Sequence, residues 1–241
     1  MTLPVSLLER PVSHRGLHDA ARGIIENSPM AFQAAVEHGY GIELDLQLSA
    51  DGHAIVFHDS TLDRVTEASG PVAARSAADL KKVALTGGSD VIPTLAQVLE
   101  QVAGRVPLLI ELKQQDRVGP LEQATIEALT GYSGDVALMS FHPGMVATCA
   151  DLAPDVPRGI TGMDFAGTDH PERDRLTDYA DLARTGSVFV SHRWQDLDIP
   201  SVQRLRGNGV PVLCWTVKSE ADEVAARAGA DNITFEGYLP A

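Results

Sequence analysis

Short apolar runs alternate along the chain with longer stretches whose apolar residues recur every three or four positions. The short runs predict strands at "PVSHR" (11–15), "GIELDLQLS" (41–49), "HAIVFHD" (53–59), "PLLIELK" (107–113) and "DVALMSF" (135–141). "PRGIT" (157–161), "SVFVSH" (187–192), "PVLCWTV" (211–217) and "DNITF" (231–235) continue the series. The longer periods predict helices over roughly 28–38, 94–103, 120–130, 143–153, 172–185, 199–207 and 219–229. Gly and Pro mark nearly every junction, as at Gly39, Pro107, Gly131, Gly186 and Gly209.

Strands alternating with helices mean βα units and a parallel sheet. Setting aside "HAIVFHD" leaves eight strands, and an α/β fold of the (β/α)8 TIM-barrel type is the economical arrangement. The alternative is a doubly wound open sheet, weakened because no glycine-rich phosphate fingerprint follows the first strand. No low-complexity linker divides the chain, so residues 1–241 read as one domain. The segment 60–92 has no clean strand and reads as part of an insertion, about 51–92, after the second strand and lying over the barrel mouth.

With 241 residues, 44% of them hydrophobic, the chain can bury a sizeable core. Its net charge of -14 argues against nucleic acid and anionic membrane surfaces as main partners. Cys149 and Cys214 lie in apolar contexts and read as buried free thiols. The N-terminus lacks a basic start followed by a long apolar run, and no stretch is long enough to span a membrane. The expectation is a cytoplasmic protein; the sequence carries no reading of oligomeric state.

One strand breaks the apolar pattern. In "GIELDLQLS", Ile42, Leu44 and Leu46 share one face, and Glu43, Asp45 and Gln47 share the other. In "LLIELK", Leu109, Glu111 and Lys113 share a face in the same way. A β/α barrel gathers its active site at the C-terminal strand ends, so Glu43, Asp45 and Glu111 are expected to converge at one mouth. Three carboxylates together need a cation, and an all-oxygen set suits one divalent ion, Mg²⁺ or Ca²⁺. The competing reading is salt bridging to Lys or Arg at strand ends.

Histidines complete the picture. Asp51-Gly52 signals a two-residue hairpin; on that turn Ala50 faces His53 and Asp45 faces His58. His14 ends the first strand at the same mouth. Two histidines flanking an anion suit paired general acid and base work, and Arg15 and Lys113 add positive charge for phosphoryl oxygens. Trp215, late in its strand, suits a wall against the substrate's carbon skeleton. His18 and His170 read as loop residues, His142 as a helix-capping residue, and His192 as a possible liner of the mouth.

Read together, "HRG" (14–16), "ENS" (26–28), "IELDL" (42–46) and "DGHAIVFHDSTLDRVT" (51–66) resemble the bacterial glycerophosphodiester phosphodiesterases. "IPTLAQVLEQV" (92–102), "LLIELK" (108–113), "SF" (140–141) and "CWTV" (214–217) extend the resemblance in order over nearly the whole chain. It implies metal-dependent hydrolysis of small glycerophosphodiesters to sn-glycerol 3-phosphate and an alcohol. The family's metal ligands fall on Glu43, Asp45 and Glu111, and its acid/base histidines on His14 and His58. Phosphate-contacting positions fall on Arg15 and Lys113, and the late aromatic on Trp215.

The chain departs from the family pattern in three places. Ile25-Glu26-Asn27-Ser28 replaces Pro-Glu-Asn-Thr; Lys218 stands where Asn is common; Phe235 and Glu236 stand at a Thr-Asp pair. The last two read as rim changes bearing on head-group preference. The alternatives are a lysophospholipase D or phosphoinositide-type phosphodiesterase on the same barrel and, more remotely, a non-enzymatic barrel that binds phosphodiester or metal.

Overall fold

The structure, a computed structural model, describes residues 1–240. Eight parallel strands close into a barrel: β1 (Val12–Ser13), β2 (Gly41–Leu48), β4 (Leu108–Leu112), β5 (Val136–Ser140), β6 (Arg158–Gly162), β7 (Phe189–Arg193), β8 (Val212–Val217) and β9 (Asn232–Phe235). β1 pairs in parallel with both β2 and β9, which closes the ring. The remaining strand, β3 (Ala54–Val56), lies outside and pairs antiparallel with the end of β2.

Helices α1 (Ser6–Glu9), α2 (Pro29–His38), α3 (Ala77–Leu80), α4 (Leu95–Val102), α5 (Pro120–Leu129), α6 (Pro143–Leu152), α7 (Arg173–Thr177), α8 (Pro200–Gly207) and α9 (Glu220–Gly229) connect the strands. Several begin where their sequence says they should. Ser28 caps α2 through its side chain ahead of Pro29, and Thr94 and Gln97 form a capping box on α4. No helix among the described residues is long and apolar enough to cross a membrane.

The apolar face of each strand packs on the helix layer. Ile42, Leu44, Leu46, Leu108 and Ile110 meet Phe32, Leu95, Val98 and Leu121 in one continuous cluster. The lower barrel interior is apolar as well: Leu109, Ala137, Phe189 and Leu213 pack with Leu3 and Leu7 at the N-terminal segment. Cys149 and Cys214 are free and buried.

Three expectations are corrected. The hairpin register is shifted by one: Leu46 faces Val56 and Gln47 faces Ile55, so Phe57, not His58, bonds back to Asp45, through its backbone N–H at 3.0 Å. The turn is longer than two residues. Ser49 N–H bonds the His53 carbonyl at 3.0 Å, Gly52 N–H returns to Ser49, and Gly52 takes the left-handed conformation (φ 80°) that lets an extra residue fit. The helix over 172–185 stops at Thr177, because Tyr179 turns left-handed (φ 54°) and buries its ring.

Segment 60–92 packs beside β3. Its apolar residues Leu62, Val72, Leu80 and Leu85 pack with Ile25, Ile55 and Phe57 into a small core of their own. None of residues 60–92 lines the mouth cavity.

Candidate active site

Strand alternation brings the charges together. Asp45 lies level with Glu111 on the adjacent strand, and Glu43 lies one layer deeper, level with Leu109. One carboxylate oxygen from each of Glu43, Asp45 and Glu111 lies within 4.8 Å of the others, and all three residues are buried. Glu43 and Glu111 line a cavity of about 270 Å³ together with His14, Arg15, His58, Lys113, Phe141 and Trp215. Seven of the eight residues singled out as site candidates line this cavity, and the eighth, Asp45, belongs to the carboxylate cluster with Glu43 and Glu111.

Cations already interleave the carboxylates. Lys113 Nζ donates to Asp45 Oδ1 at 2.8 Å and also to Glu111 Oε1. Arg15 Nε lies 3.3 Å from Asp45 Oδ2, and another guanidinium nitrogen donates to Glu26 at 2.8 Å. Burial opposes an ionised Asp45, yet Lys113 and Arg15 outweigh it and hold its carboxyl far below the usual range. Glu43 fares differently. Burial and the charges of Asp45 and Glu111 push its carboxyl well above the ordinary value. Among the described residues its hydrogen bond comes from the Arg15 backbone N–H at 3.0 Å. Glu111 is also raised, first by burial.

The loop after β1 is built to aim these groups. Arg15 and Asn27 both take the left-handed conformation (φ 55° and 54°), which costs about 1–3 kcal/mol for each non-glycine residue. The strain has a return: Asn27 N–H bonds the Arg15 carbonyl, and Asn27 Nδ2 donates to Asp45 Oδ2 at 2.9 Å. Gly16 follows at φ 79°, where a Cβ would come within 2.9 Å of the Ala31 backbone. The glycine of "HRG" therefore lets α2 approach the end of β1.

Each histidine is wired by one nitrogen. His14 Nδ1 lies 2.7 Å from Glu236 Oε2, and His58 Nδ1 lies 2.6 Å from Asp59 Oδ1. Burial lowers both imidazoles below their ordinary value; Glu236 offsets this partly for His14, and Asp45 partly for His58. Arg64 bonds both Asp59 and Glu26, tying the His58 side of the mouth to the Arg15 side. Trp215 donates from Nε1 to the Ser191 carbonyl at 3.1 Å and meets Phe141 edge-on, ring centres 5.5 Å apart.

The sequence matches the glycerophosphoryl diester phosphodiesterase family over residues 14–236. The chain belongs to this family. It is thereby an enzyme of the phosphoric diester hydrolase class. A glycerophosphodiester phosphodiesterase of Caldanaerobacter subterraneus is 31% identical over 92% of this chain and 91% of its own length. Among solved structures, a glycerophosphodiester phosphodiesterase from Agrobacterium tumefaciens is 26% identical, with a TM-score of 0.72 over 98% of this chain and 96% of that one. A phosphodiesterase of Oleispira antarctica, solved with the product sn-glycerol-3-phosphate, shares the fold at 22% identity and a TM-score of 0.81, covering 96% of this chain and 94% of that one.

Several residues of this phosphodiesterase family member escaped the sequence reading. Glu236, read as a rim residue for head groups, is instead bonded to His14, with Lys218 Nζ 3.2 Å from its other oxygen. Alternation would have found it, since Asn232, Thr234 and Glu236 share a face, but the predicted strand stopped at Phe235. Asp59 was within sight as the neighbour of His58. His192 does not line the mouth: it is fully buried against the helix layer, with Nδ1 2.6 Å from the Tyr179 hydroxyl. His170 accepts from the Glu172 N–H within its own loop. His142 stands at the start of α6, but its ring makes no capping bond. His18 bonds the Gly16 carbonyl through its backbone and does not line the cavity.

Proposed function

We infer that the protein hydrolyses small glycerophosphodiesters to sn-glycerol 3-phosphate and an alcohol, using a divalent cation and the histidine pair His14 and His58. The observation that carries this reading is the shared cavity: two histidines, each fixed through Nδ1 by a carboxylate, flank three clustered carboxylates and Lys113.

The donor set fits a hard cation. Glu43, Asp45 and Glu111 offer only oxygen, and Lys113 stands between two of them as a positive group would. A divalent ion held by these three would supply positive charge to the phosphoryl group, with Mg²⁺ and Ca²⁺ as the matching candidates.

The chain's own groups carry the proton work. With Nδ1 engaged, each ring presents Nε2 as its free nitrogen. One histidine takes the proton from the attacking oxygen while the other gives one to the leaving alkoxide. Burial favours the neutral imidazole, which suits a base, and the Nδ1 carboxylate stabilises the imidazolium once formed. Arg15 and Lys113 support the negative charge on the phosphoryl oxygens, and Trp215 with Phe141 forms the apolar wall for the carbon skeleton. The free, buried Cys149 and Cys214 are in keeping with a cytoplasmic setting.

The test is turnover of glycerophosphocholine, glycerophosphoethanolamine and glycerophosphoglycerol with Mg²⁺ or Ca²⁺. Release of sn-glycerol 3-phosphate is the expected result. Inactivity on all three, with turnover of a long-chain lysophospholipid, would move the assignment to the lipid-directed alternative.

A further inference from the structure

One buried hydroxyl in the cavity has no partner. Thr161 lines the cavity from β6, is only 3% exposed, and its hydroxyl makes no hydrogen bond among the described residues. Its strand neighbour at the same level is Ser191 on β7, whose hydroxyl is likewise buried without a partner but does not line the cavity. Of the two, Thr161 is the one on the cavity wall. A buried hydroxyl without a partner destabilises a fold, and valine would fill the same volume on a strand without that cost. The hydroxyl therefore points to a ligand.

Position in the ring identifies which part of the ligand. Going round from β1 through β2, β4 and β5, β6 is the fourth strand on and stands opposite β1 in the ring of eight. The phosphorus belongs near Lys113 and the carboxylates of β2 and β4, with His14 after β1. A glycerol attached there has its 2-hydroxyl close to the phosphate end, and only its terminal hydroxyl extends across the barrel. In this placement the leaving alcohol would depart through the open mouth, away from β6. An acyl or alkyl chain lying against Thr161 would leave the hydroxyl bare.

We propose that Thr161 is a specificity-determining residue, whose hydroxyl bonds the terminal hydroxyl of the substrate's glycerol. This rests on the reading of the protein as a glycerophosphodiester hydrolase. A site that keeps a buried polar group for a substrate hydroxyl rejects the analogue lacking it, because the group then stays unpaired.

The experiment compares glycerophosphocholine with 2-hydroxypropyl phosphocholine, which lacks only that terminal hydroxyl, in the wild type, T161V and T161S. The wild type should prefer the glycerol diester by about tenfold or more in kcat/KM. In T161V the preference should shrink below about threefold, through a larger loss on the glycerol diester than on its analogue. T161S should keep most of the preference. Thermal unfolding of T161V should be unchanged or raised, which separates the effect from misfolding. An unchanged preference in T161V overturns the inference while leaving the function intact, as does an equal loss on both substrates, which would place Thr161 on the phosphoryl group. No turnover of glycerophosphocholine by the wild type would instead overturn the functional reading and this inference together.

Discussion

His14 and Glu236 stand 222 positions apart in sequence and 2.7 Å apart in space. Closing the barrel brings them together, since β1 pairs with β9. With Glu236 ionised, the ring must donate from Nδ1, so Nε2 is the nitrogen free to exchange protons in the cavity. Glu236→Gln should lower kcat by about 10–100-fold, the range expected when a partner that orients a reacting group is lost. The bond to Glu236 also raises the proton affinity of His14 against the opposing effect of burial. The limb of the kcat/KM–pH profile that belongs to His14 should therefore move to lower pH in the variant. A limb that stays in place in an otherwise slowed enzyme would argue for a purely structural role, and Glu236→Asp should recover part of the rate.

The same pair makes stability depend on pH. The hydrogen bond from His14 and the charge of Lys218 hold the Glu236 carboxyl down at about 2, against 4.5 for the free side chain. A carboxyl whose folded value lies below its unfolded one stabilises the fold above the unfolded value and loses that effect as pH falls. The advantage of the wild type over Glu236→Gln should thus be full above about pH 5 and fade between about 4.5 and 2. Urea midpoints of the two proteins at pH 7, 4 and 2.5 check this. A gap that widens on acidification would contradict it.

The barrel was legible in the sequence because period and punctuation agree along its length. All nine predicted runs are strands, and Glu43, Asp45, Glu111 and Lys113 face one mouth as alternation requires. What escaped depends on loops and on distant pairing. A left-handed Gly52 added a residue to the hairpin and moved the register, yet His58 still reaches the cavity because it lies beyond the paired part of β3. Asn27 reaches Asp45 only because Arg15 and Asn27 adopt left-handed backbone angles, which no local pattern announces. Thr161 looked like an ordinary strand residue; its significance lies in a missing partner, which only the packed interior reveals.

His58 gives a sharper test of the paired-histidine reading. Its ring is about one-third exposed and held by Asp59, so truncation leaves no buried void in the core. His58→Ala should cut kcat by about 10²–10⁴-fold, the contribution typical of a positioned acid or base, with little change in melting temperature. Asp59→Asn should cost less, because the ring stays in place without its orienting carboxylate. Near-normal turnover by a folded His58→Ala protein would remove this residue from the reaction and leave His14 without its partner.

Glu43 tests the cation requirement through stability as well as rate. It is 2% exposed, sits beside two other carboxylates, and burial with their charges raises its carboxyl above the ordinary value. A raised carboxyl costs stability progressively as pH climbs from its unfolded value toward its folded one. In metal-free protein at pH 8, Glu43→Gln removes that cost while an amide oxygen can still accept from the Arg15 N–H. The metal-free variant should therefore melt above the metal-free wild type, by about 2–4 °C for each kcal/mol relieved in a chain of this size. Saturating Mg²⁺ or Ca²⁺ should reverse the order, since a ligand that binds only the folded state stabilises the protein that binds it more tightly. Chelation should abolish wild-type turnover, and added Mg²⁺ or Ca²⁺ should restore it. Full activity after exhaustive chelation, with no thermal shift on adding either ion, would leave the three carboxylates as a salt-bridged cluster around Lys113 and Arg15 and nothing more.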